Sequence, residues 1–321
     1  MKKIKVAVIG GGNMGKNHVR TYSSIEGVDL VALVDINKDT EKLAKEYNTN
    51  FYNDFKEMID LEKPEAVSIV GPTNLHFPIS KFVMEKGIHC LVEKPIASTP
   101  AEGEKLVKIA RDNKVIFTVG HIERFNPMIQ KLKKLVDEKE IGDITSIIVK
   151  RVGGFPAVEP KTDVIIDLAV HDIDILNYLL GKSPKKVYSH GSKTLHSKEI
   201  DSAEIFLDYG GASGFIQANW ITPIKIRTIA ITGTKGYVEG NYITQELTYY
   251  NHTMEPKNDG FKNFVVTVGE PEKRYITDEP KEPLANELKE FLEAIKNRNS
   301  SKLVHPDDAI NALDIALKAL D

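Results

Sequence analysis

Short apolar runs alternate with segments of helical periodicity over residues 1–120, and this alternation constrains the fold more than any other feature of the sequence. Five runs have the length and the Val and Ile content of buried strands: KIKVAVIG, VDLVALVD, EAVSIV, IHCLVE and VIFTVG. Parallel strands need crossover connections between them, and these are usually helices. The pattern therefore predicts an α/β domain built on a doubly wound parallel sheet.

The rhythm changes near residue 120. A helix, a strand and a second helix come first, and strand-like runs then follow one another with no helix between them: KKVYSHGSKT, SAEIFLDY, SGFIQANWI, IRTIAITG and YITQELTYYN. Strands that succeed each other without crossovers favour a mostly antiparallel sheet. Two helices close the chain. We therefore expect two domains, residues 1–120 and residues 121–321, which suits a length of 321 residues.

Composition excludes several classes of protein. The 43 basic and 46 acidic residues give a net charge of −3, so there is no basic excess to bind a nucleic acid backbone. The single cysteine, Cys90, lies within an apolar run and fits a reducing compartment. The apolar start of the chain is too short for a signal peptide, and no later run could span a membrane. We expect a cytoplasmic protein with no membrane or nucleic acid partner.

A glycine motif, VIGGGNMG, joins the first predicted strand to the first predicted helix. Gly10 permits a tight turn, Gly12 lets the backbone approach a pyrophosphate, and Gly15 lets helix and strand pack closely. Asp35 ends the second strand 20 residues after Gly15, where a carboxylate can bind an adenosine ribose. The two features favour NAD. NADP is less favoured, although Lys38 leaves it open.

The apolar run IHCLVEKP ends in Glu93, Lys94 and Pro95. Such charges can belong to a solvated strand end. Alternatively, they hold an ammonium rigidly at the carboxyl end of a parallel sheet, where ligands bind. The preceding strand end carries GPTNLHFP, in which Asn74 and His76 either cap the next helix or face the nicotinamide half of a dinucleotide.

The segment DLAVHDIDIL places Asp167 and His171 four residues apart, on one face of a predicted α-helix. A carboxylate that orients a histidine suits a general base. The pair would also suit zinc, but the chain offers one cysteine and no third clustered ligand, so we predict no metal site.

Three motifs occur in order, GGGNMG, PTNLHFP…GIHCLVEKP and DLAVHDIDIL, and with them the whole chain resembles the Gfo/Idh/MocA family of oxidoreductases. This resemblance implies an N-terminal Rossmann domain that binds NAD. It also implies a C-terminal α/β domain for substrate, with a large, open, mostly antiparallel sheet. Because that sheet commonly mediates assembly in the family, we expect a homodimer or a homotetramer.

The resemblance assigns catalysis to Lys94, Asp167 and His171, and it implies a cis bond between Lys94 and Pro95. Motif and resemblance together predict these cofactor contacts: Gly10, Gly12, Asn13, Met14, Gly15, Asp35, Ile36, Pro72, Thr73, Asn74, His76, Glu93, Lys94 and Arg124. The predicted substrate contacts are Lys94, Arg124, Asn126, Asp167 and His171. Either Lys94 or His171 takes the proton.

The predicted activity is NAD-dependent oxidation of a ring hydroxyl of a sugar or nucleotide sugar. The sequence GHIERFNP…NWITPIKIR is similar to the corresponding sequence of family members that oxidise UDP-N-acetylglucosamine at C3. Arg124, Lys150 and Arg151 are cations available to bind a diphosphate. An inositol or free-sugar dehydrogenase is the alternative within this class. A non-catalytic, NAD-dependent regulator is the alternative outside it, because the family includes a transcriptional repressor. The presence of all three predicted catalytic side chains argues against a regulator.

Overall fold

The computed structural model describes residues 3–156, 160, 162–195, 198–251, 256–257, 267–268, 272–276 and 279–320. The chain forms two compact units. The first comprises Met1–Phe125 and Lys281–Asp314, and the second comprises Asn126–Pro280 and Ile315–Asp321. That residues 1–120 bind the cofactor and residues 121–321 bind the substrate stays a prediction.

The first unit contains a six-stranded sheet in the order β3-β2-β1-β4-β5-β6. Its strands are β1 (Ile4–Ile9), β2 (Val28–Val34), β3 (Asn50–Tyr52), β4 (Ala66–Ile69), β5 (His89–Glu93) and β6 (Phe117–Gly120). The helices between them are α1 (Asn13–Ser24), α2 (Glu41–Glu46), α3 (Phe55–Glu62), α4 (Thr73–Glu85) and α5 (Pro100–Asp112), and a 3₁₀ turn, Lys38–Thr40, precedes α2. Every strand pair is parallel, so the predicted doubly wound parallel sheet is confirmed. The strand order reverses between β1 and β4, and ligands bind beside the carboxyl ends of strands at such a point.

Two elements of this unit, β3 and α3, were not among those predicted. β3 has three residues at the edge of the sheet and none of them is buried, so it leaves no apolar run to detect. α3 begins after Asp54, whose side chain accepts a hydrogen bond from the Lys56 N–H. That cap was the available sequence signal.

The core of the first unit includes a helix from late in the chain. A 3₁₀ helix, Ile122–Phe125, ends the N-terminal part of the unit, and α8 (Pro283–Asn297) adds Leu288 and Phe291 to the core around β1 and β5. Cys90 in β5 is fully buried, and burial raises the pKa of its thiol to about 12. Cys90 is therefore a packed core residue and not a nucleophile.

The second unit is built on an eight-stranded sheet in the order β16-β13-β12-β11-β7-β10-β9-β8. Its strands are β7 (Ile144–Val152), β8 (Lys186–Ser192), β9 (Ser202–Asp208), β10 (Ser213–Asn219), β11 (Ile226–Gly233), β12 (Gly236–Asn241), β13 (Leu247–Asn251) and β16 (Lys273–Ile276). β14 (Pro256–Lys257) and β15 (Thr267–Val268) form a separate pair, and the helices are α6 (Pro127–Asp137) and α7 (Val170–Leu180). The closing helix α9 (Pro306–Lys318) begins in the first unit and ends in the second, since the division falls after Asp314. The sheet is antiparallel except for the pair β7–β10. The predicted mostly antiparallel sheet is confirmed.

One face of this sheet carries an exposed apolar row. Tyr188, Phe206, Phe215 and Ile148 lie directly opposite one another across four neighbouring strands. Their exposed fractions are 55%, 41%, 38% and 51%. Apolar side chains in a contiguous exposed patch mark an interaction surface.

Among the described residues, no helix is both long and apolar enough to cross a membrane.

Candidate active site

The glycine loop between β1 and α1 is shaped by three glycines. Gly10 has a φ of +109°, and a Cβ there would lie 2.7 Å from the Val70 carbonyl. A Cβ on Gly15 would lie 1.9 Å from the Gly10 oxygen, whereas one on Gly12 would meet no atom within 4 Å. The backbone is thus open above Gly12. α1 begins at Asn13 without a side-chain cap, so its first N–H groups suit a phosphate.

Asp35 is fixed beside this loop. Its Oδ2 accepts a hydrogen bond from the Gly11 N–H at 2.5 Å, and its Oδ1 accepts one from the Asn37 N–H at 2.7 Å. A carboxylate offers about four lone-pair sites, so both oxygens can accept further bonds from ribose hydroxyls. The neighbouring Ile36 is 91% exposed and suits contact with a ligand.

A cavity of about 630 Å³ opens next to Asp35 in the first unit. Its lining combines the ends of β1, β2 and β4 with residues of α3 and α4: Ile9, Gly10, Val34, Asp35, Ile36, Asn53, Asp54, Phe55, Lys56, Gly71, Pro72, Leu75, Pro78, Ile79 and Phe82. The volume lies within the range of small-molecule sites, and the lining is mainly apolar, as an adenine ring requires. Phe55 and Lys56 were not predicted as lining residues, because α3 was not predicted. Phe82 was not predicted either, although its helix, α4, was.

The loop after β4 holds the predicted residues 72–76 in two different environments. Pro72 precedes α4, and Thr73 and Asn74 form its first turn. His76 is 1% exposed, and its ring nitrogens lie 2.8 Å from the Pro95 oxygen and 2.9 Å from the Gly71 oxygen. Burial lowers the pKa of His76 in spite of these two bonds. This geometry favours a structural role for His76, tying two loops together, over a hydrogen bond to a cofactor.

Glu93 is the last residue of β5, all of whose residues are buried, and the partly buried Lys94 follows it directly. The Glu93 Oε1 lies 3.0 Å from the His18 Nε2, and its Oε2 accepts a hydrogen bond from the Lys94 N–H at 3.2 Å. Burial by itself would raise the pKa of Glu93, but the bond and charge of His18 and the nearby Lys94 ammonium outweigh it and lower the pKa. The Lys94–Pro95 bond is cis, as the resemblance implied.

Two predicted ligands in the stretch GHIERFNP have partners within the protein. Arg124 is 7% exposed, and its Nη1 lies 2.9 Å from the Asp308 Oδ2. Asn126 is 2% exposed; its Oδ1 accepts a hydrogen bond from the Met128 N–H, and its Nδ2 donates one to the backbone carbonyl oxygen of Tyr242. Asn126 is thus the cap of α6, and the structure favours that role over the predicted substrate contact. The sequence Asn-Pro was the signal for this cap.

In the second unit, Asp167 and His171 lie on one helical segment, but not in the predicted regular α-helix. Asp167 belongs to a π-helical turn, Ile165–Ala169, and His171 to α7, which follows directly. A π-turn has more residues per turn than an α-helix, so the prediction of one regular α-helix through both residues is wrong. Both side chains are partly exposed. Turns of this kind often occur at functional sites.

An ion pair that was not predicted from the sequence holds the start of α7. The Arg151 Nε lies 2.9 Å from both Asp172 oxygens, and both side chains are buried. The guanidinium also lies over the Tyr242 ring, 5.0 Å from its centroid. Arg151 was predicted to be available for a diphosphate, which this pairing contradicts. Lys150 is exposed and lies on the opposite face of β7, so these two cations do not converge.

The alternation in β7 was the signal for this pair. Ile147, Val149 and Arg151 share the buried face, and a charge in an apolar series needs a buried partner. No group of three or more His, Cys, Asp or Glu side chains suited to a metal ion occurs within the described part of the chain.

Comparison with known proteins gives matches in both units. A family profile described as the oxidoreductase family GFO_IDH_MocA, with an NAD-binding Rossmann fold, matches residues 4–121. A profile for the GFO/IDH/MocA C-terminal domain matches residues 129–239.

Individual relatives match over most of their length. UDP-N-acetylglucosamine 3-dehydrogenase of Acidithiobacillus ferrooxidans is 26% identical over 299 residues, which are 92% of this chain and 90% of that protein. A solved structure of the same enzyme has a TM-score of 0.87 at 25% identity and covers 99% of this chain and 96% of its own. The NAD-dependent scyllo-inositol 2-dehydrogenase of Bacillus subtilis is 29% identical over 252 residues, which are 74% of this chain and 73% of that protein.

The buried pair makes a testable contribution to stability. Arg151→Met should lower the free energy of unfolding by about 3–5 kcal/mol, because the buried Asp172 carboxylate loses its ion pair with the guanidinium. The double variant Arg151→Met/Asp172→Leu should lose less, since no charge is stranded. Lys150→Met, on the exposed face of the same strand, should change stability by less than about 0.5 kcal/mol. Urea unfolding of the three variants measures this, and equal losses in the single and double variants would contradict it.

Proposed function

Because the chain belongs to the Gfo/Idh/MocA family of oxidoreductases, we propose that it uses NAD to oxidise a ring hydroxyl of a sugar or nucleotide sugar. The substrate that we propose is UDP-N-acetylglucosamine, oxidised at C3 to a 3-keto product. A relative with that name and with 92% coverage of this chain supports this choice. The position of Lys94 at the end of the fully buried strand β5 is the observation that carries the proposal.

The first unit offers a fitting place for the adenosine diphosphate half of the cofactor. The open backbone at Gly12 and the uncapped start of α1 would hold the pyrophosphate. Asp35 would bind the adenosine ribose, and the cavity beside Ile36 would hold the adenine. NAD, when bound, would supply the acceptor for the hydride of the substrate carbon. The protein's task is then to handle the hydroxyl proton and the developing negative charge.

Lys94 and His171 divide that task in our proposal. The Lys94 ammonium favours the alkoxide that develops as the hydroxyl is oxidised. His171 accepts the hydroxyl proton, and Asp167 orients the imidazole and stabilises its protonated form. A base is needed because hydride loss from an alcohol leaves a protonated carbonyl.

Two other functions make different predictions. The relative scyllo-inositol 2-dehydrogenase supports an inositol or free-sugar substrate, and a non-catalytic regulator would bind NADH without turning over any sugar. The single cysteine supports the further proposal that the protein works in the reducing cytoplasm.

A turnover screen tests the proposed function. Purified protein is assayed for NADH formation with UDP-sugars, inositols and free hexoses, and the product is identified by mass spectrometry. We expect activity on UDP-N-acetylglucosamine, and a loss of about 10²–10³ in kcat in Lys94→Ala with NADH binding retained. Activity on inositol or glucose alone would reject the UDP-sugar but keep the dehydrogenase. Bound NADH with no turnover on any substrate would favour the regulator.

Asp35 should determine the choice of cofactor. We expect the wild type to bind NAD more tightly than NADP, because the carboxylate accepts ribose hydrogen bonds and repels a 2′-phosphate. Asp35→Ala should weaken NAD binding roughly tenfold and so narrow the difference between the affinities for NAD and NADP. Asp39→Ala, a nearby exposed carboxylate, is the control and should leave the ratio of the two affinities unchanged. Calorimetric titration measures both, and tighter NADP binding by the wild type would refute the preference.

The exposed apolar row should mediate self-association. We propose that a second copy of the chain covers Tyr188, Phe206, Phe215 and Ile148, giving a homodimer or a homotetramer, because a two-fold interface places the same patch on both sides. Phe215→Glu should weaken association by at least about tenfold. Leu61→Glu, at a 64% exposed position of the first unit, is the matched control. Light scattering after gel filtration measures the mass, and a monomeric wild type would end the proposal.

The rate of oxidation should rise with pH through the titration of His171. A neutral imidazole accepts the proton, and the unperturbed pKa of histidine is about 6.5, so the reactive form increases as pH rises through that range. His171→Ala should lower kcat by about 10²–10⁴ and remove the rise, and Asp167→Asn should lower kcat less. If kcat depends on pH in His171→Ala as it does in the wild type, Lys94 and not His171 accepts the proton.

A further inference from the structure

Three titratable side chains are buried in the interior of the first unit, and the proposed reaction does not use them directly. His18 contacts Glu93, and the charge of Glu93 acts on Glu287. His18 comes from α1, Glu93 from the end of β5 and Glu287 from α8. Their exposed fractions are 0%, 6% and 1%. We call these three residues the acid–histidine cluster. Its importance lies in its position, since Glu93 directly precedes Lys94.

The space for the Glu93 carboxylate is built into the sheet. Gly120 on β6 is the register partner of Glu93 on β5. A Cβ on Gly120 would lie 2.8 Å from the Glu93 carboxyl carbon, closer than side chains pack. The glycine therefore leaves room for the carboxylate between His18 and the Lys94 N–H, both of which it contacts.

Glu287 is the unusual member of the cluster. Neither of its oxygens has a hydrogen-bond partner among the residues that the structure describes. An ionised carboxylate is very costly to bury without a partner, whereas a protonated one is far less so. Burial, with a further contribution from the Glu93 charge, raises the pKa of Glu287 well above its ordinary value.

The groups around Glu287 leave Glu93 as the ionised acid of the cluster. On α1, Tyr22 bonds to the Ser68 hydroxyl at 2.8 Å, and burial raises its pKa far above neutrality. The β5 strand contributes Glu93 and the neutral Cys90 thiol. On the 3₁₀ helix packed against α8 are Glu123 and Arg124, the latter in its ion pair with Asp308.

We propose that Glu287 carries a proton at neutral pH and that the acid–histidine cluster positions Lys94. With Glu287 neutral, Glu93 keeps its negative charge and uses one oxygen for His18 and the other for the Lys94 N–H. An ionised Glu287 would repel Glu93 and loosen the peptide that carries Lys94. The protonation of Glu287 stands by itself, and only the role given to Lys94 rests on the proposed function.

The pH dependence of unfolding tests the proton on Glu287. A native state that holds this proton binds more protons than the unfolded chain above about pH 4.3, so its stability falls relative to Glu287→Gln as pH rises. The ratio of the unfolding constants, wild type over Glu287→Gln, should grow about tenfold per pH unit until Glu287 ionises in the folded protein. Glu290→Gln, on the same helix and partly exposed, is the matched control. The ratio of the unfolding constants, wild type over Glu290→Gln, should change little with pH. A flat ratio for Glu287→Gln would overturn the proposal.

Infrared spectroscopy gives a second measurement that does not depend on unfolding. The difference spectrum between the wild type and Glu287→Gln at pH 7 should contain the carbonyl band of a protonated carboxyl group. Carboxylate bands in its place would overturn the proposal.

Variants of His18 test the positioning of Lys94. His18→Leu should lower kcat on the order of tenfold to a hundredfold while the affinity for NADH stays within about threefold, because a small displacement of a reacting group is costly. His18→Gln places an amide near the position of Nε2 and should recover most of the loss. A folded His18→Leu with normal kcat would overturn the positioning role. Failure of the wild type to turn over any sugar would reject the proposed function, and the unfolding and infrared results would still decide the proton on Glu287.

Discussion

The rigid carboxyl end of β5 is the constraint on which the proposed chemistry depends. The strand lies between β4 and β6 and is buried along its whole length, so its last peptide cannot move without the sheet. Glu93 extends that rigidity by one residue, because its carboxylate receives the Lys94 N–H and is itself held by His18. A charge presented from a fixed backbone needs no rearrangement when negative charge develops on a substrate.

The second unit fixes its proposed catalytic residues by a different device. A helix can rotate and slide more easily than a central strand, and α7 is secured by a buried ion pair directly after His171. The π-turn before α7 changes the direction in which Asp167 leaves the helix relative to a regular α-helix. The two residues to which we assign the proton transfer therefore lie in different settings. His171 lies in α7, which the ion pair holds in place, and Asp167 lies in the irregular π-turn.

Features with local causes could be predicted from the sequence, and features with distant causes could not. The glycine loop, the place of Asp35 and the change from a parallel to an antiparallel sheet each follow from spacing along the chain. The edge strand β3 has no apolar signal, and the π-turn has no known sequence mark that separates it from an α-helix. The alternation in β7 indicates that Arg151 needs a buried partner, but not that the partner is Asp172. The electrostatic effect of Glu93 on Glu287 joins segments far apart in the chain, which a single sequence does not reveal.

The first unit is discontinuous, and this has a consequence for biosynthesis. Its core needs α8, yet α8 belongs to the segment Lys281–Asp314, which leaves the ribosome only after the whole of Asn126–Pro280. Until then, the strands of the parallel sheet lack the apolar cover that Leu288 and Phe291 supply, and exposed surface of this kind promotes aggregation. The core of the first unit is therefore completed only after the whole of Asn126–Pro280 has been synthesised.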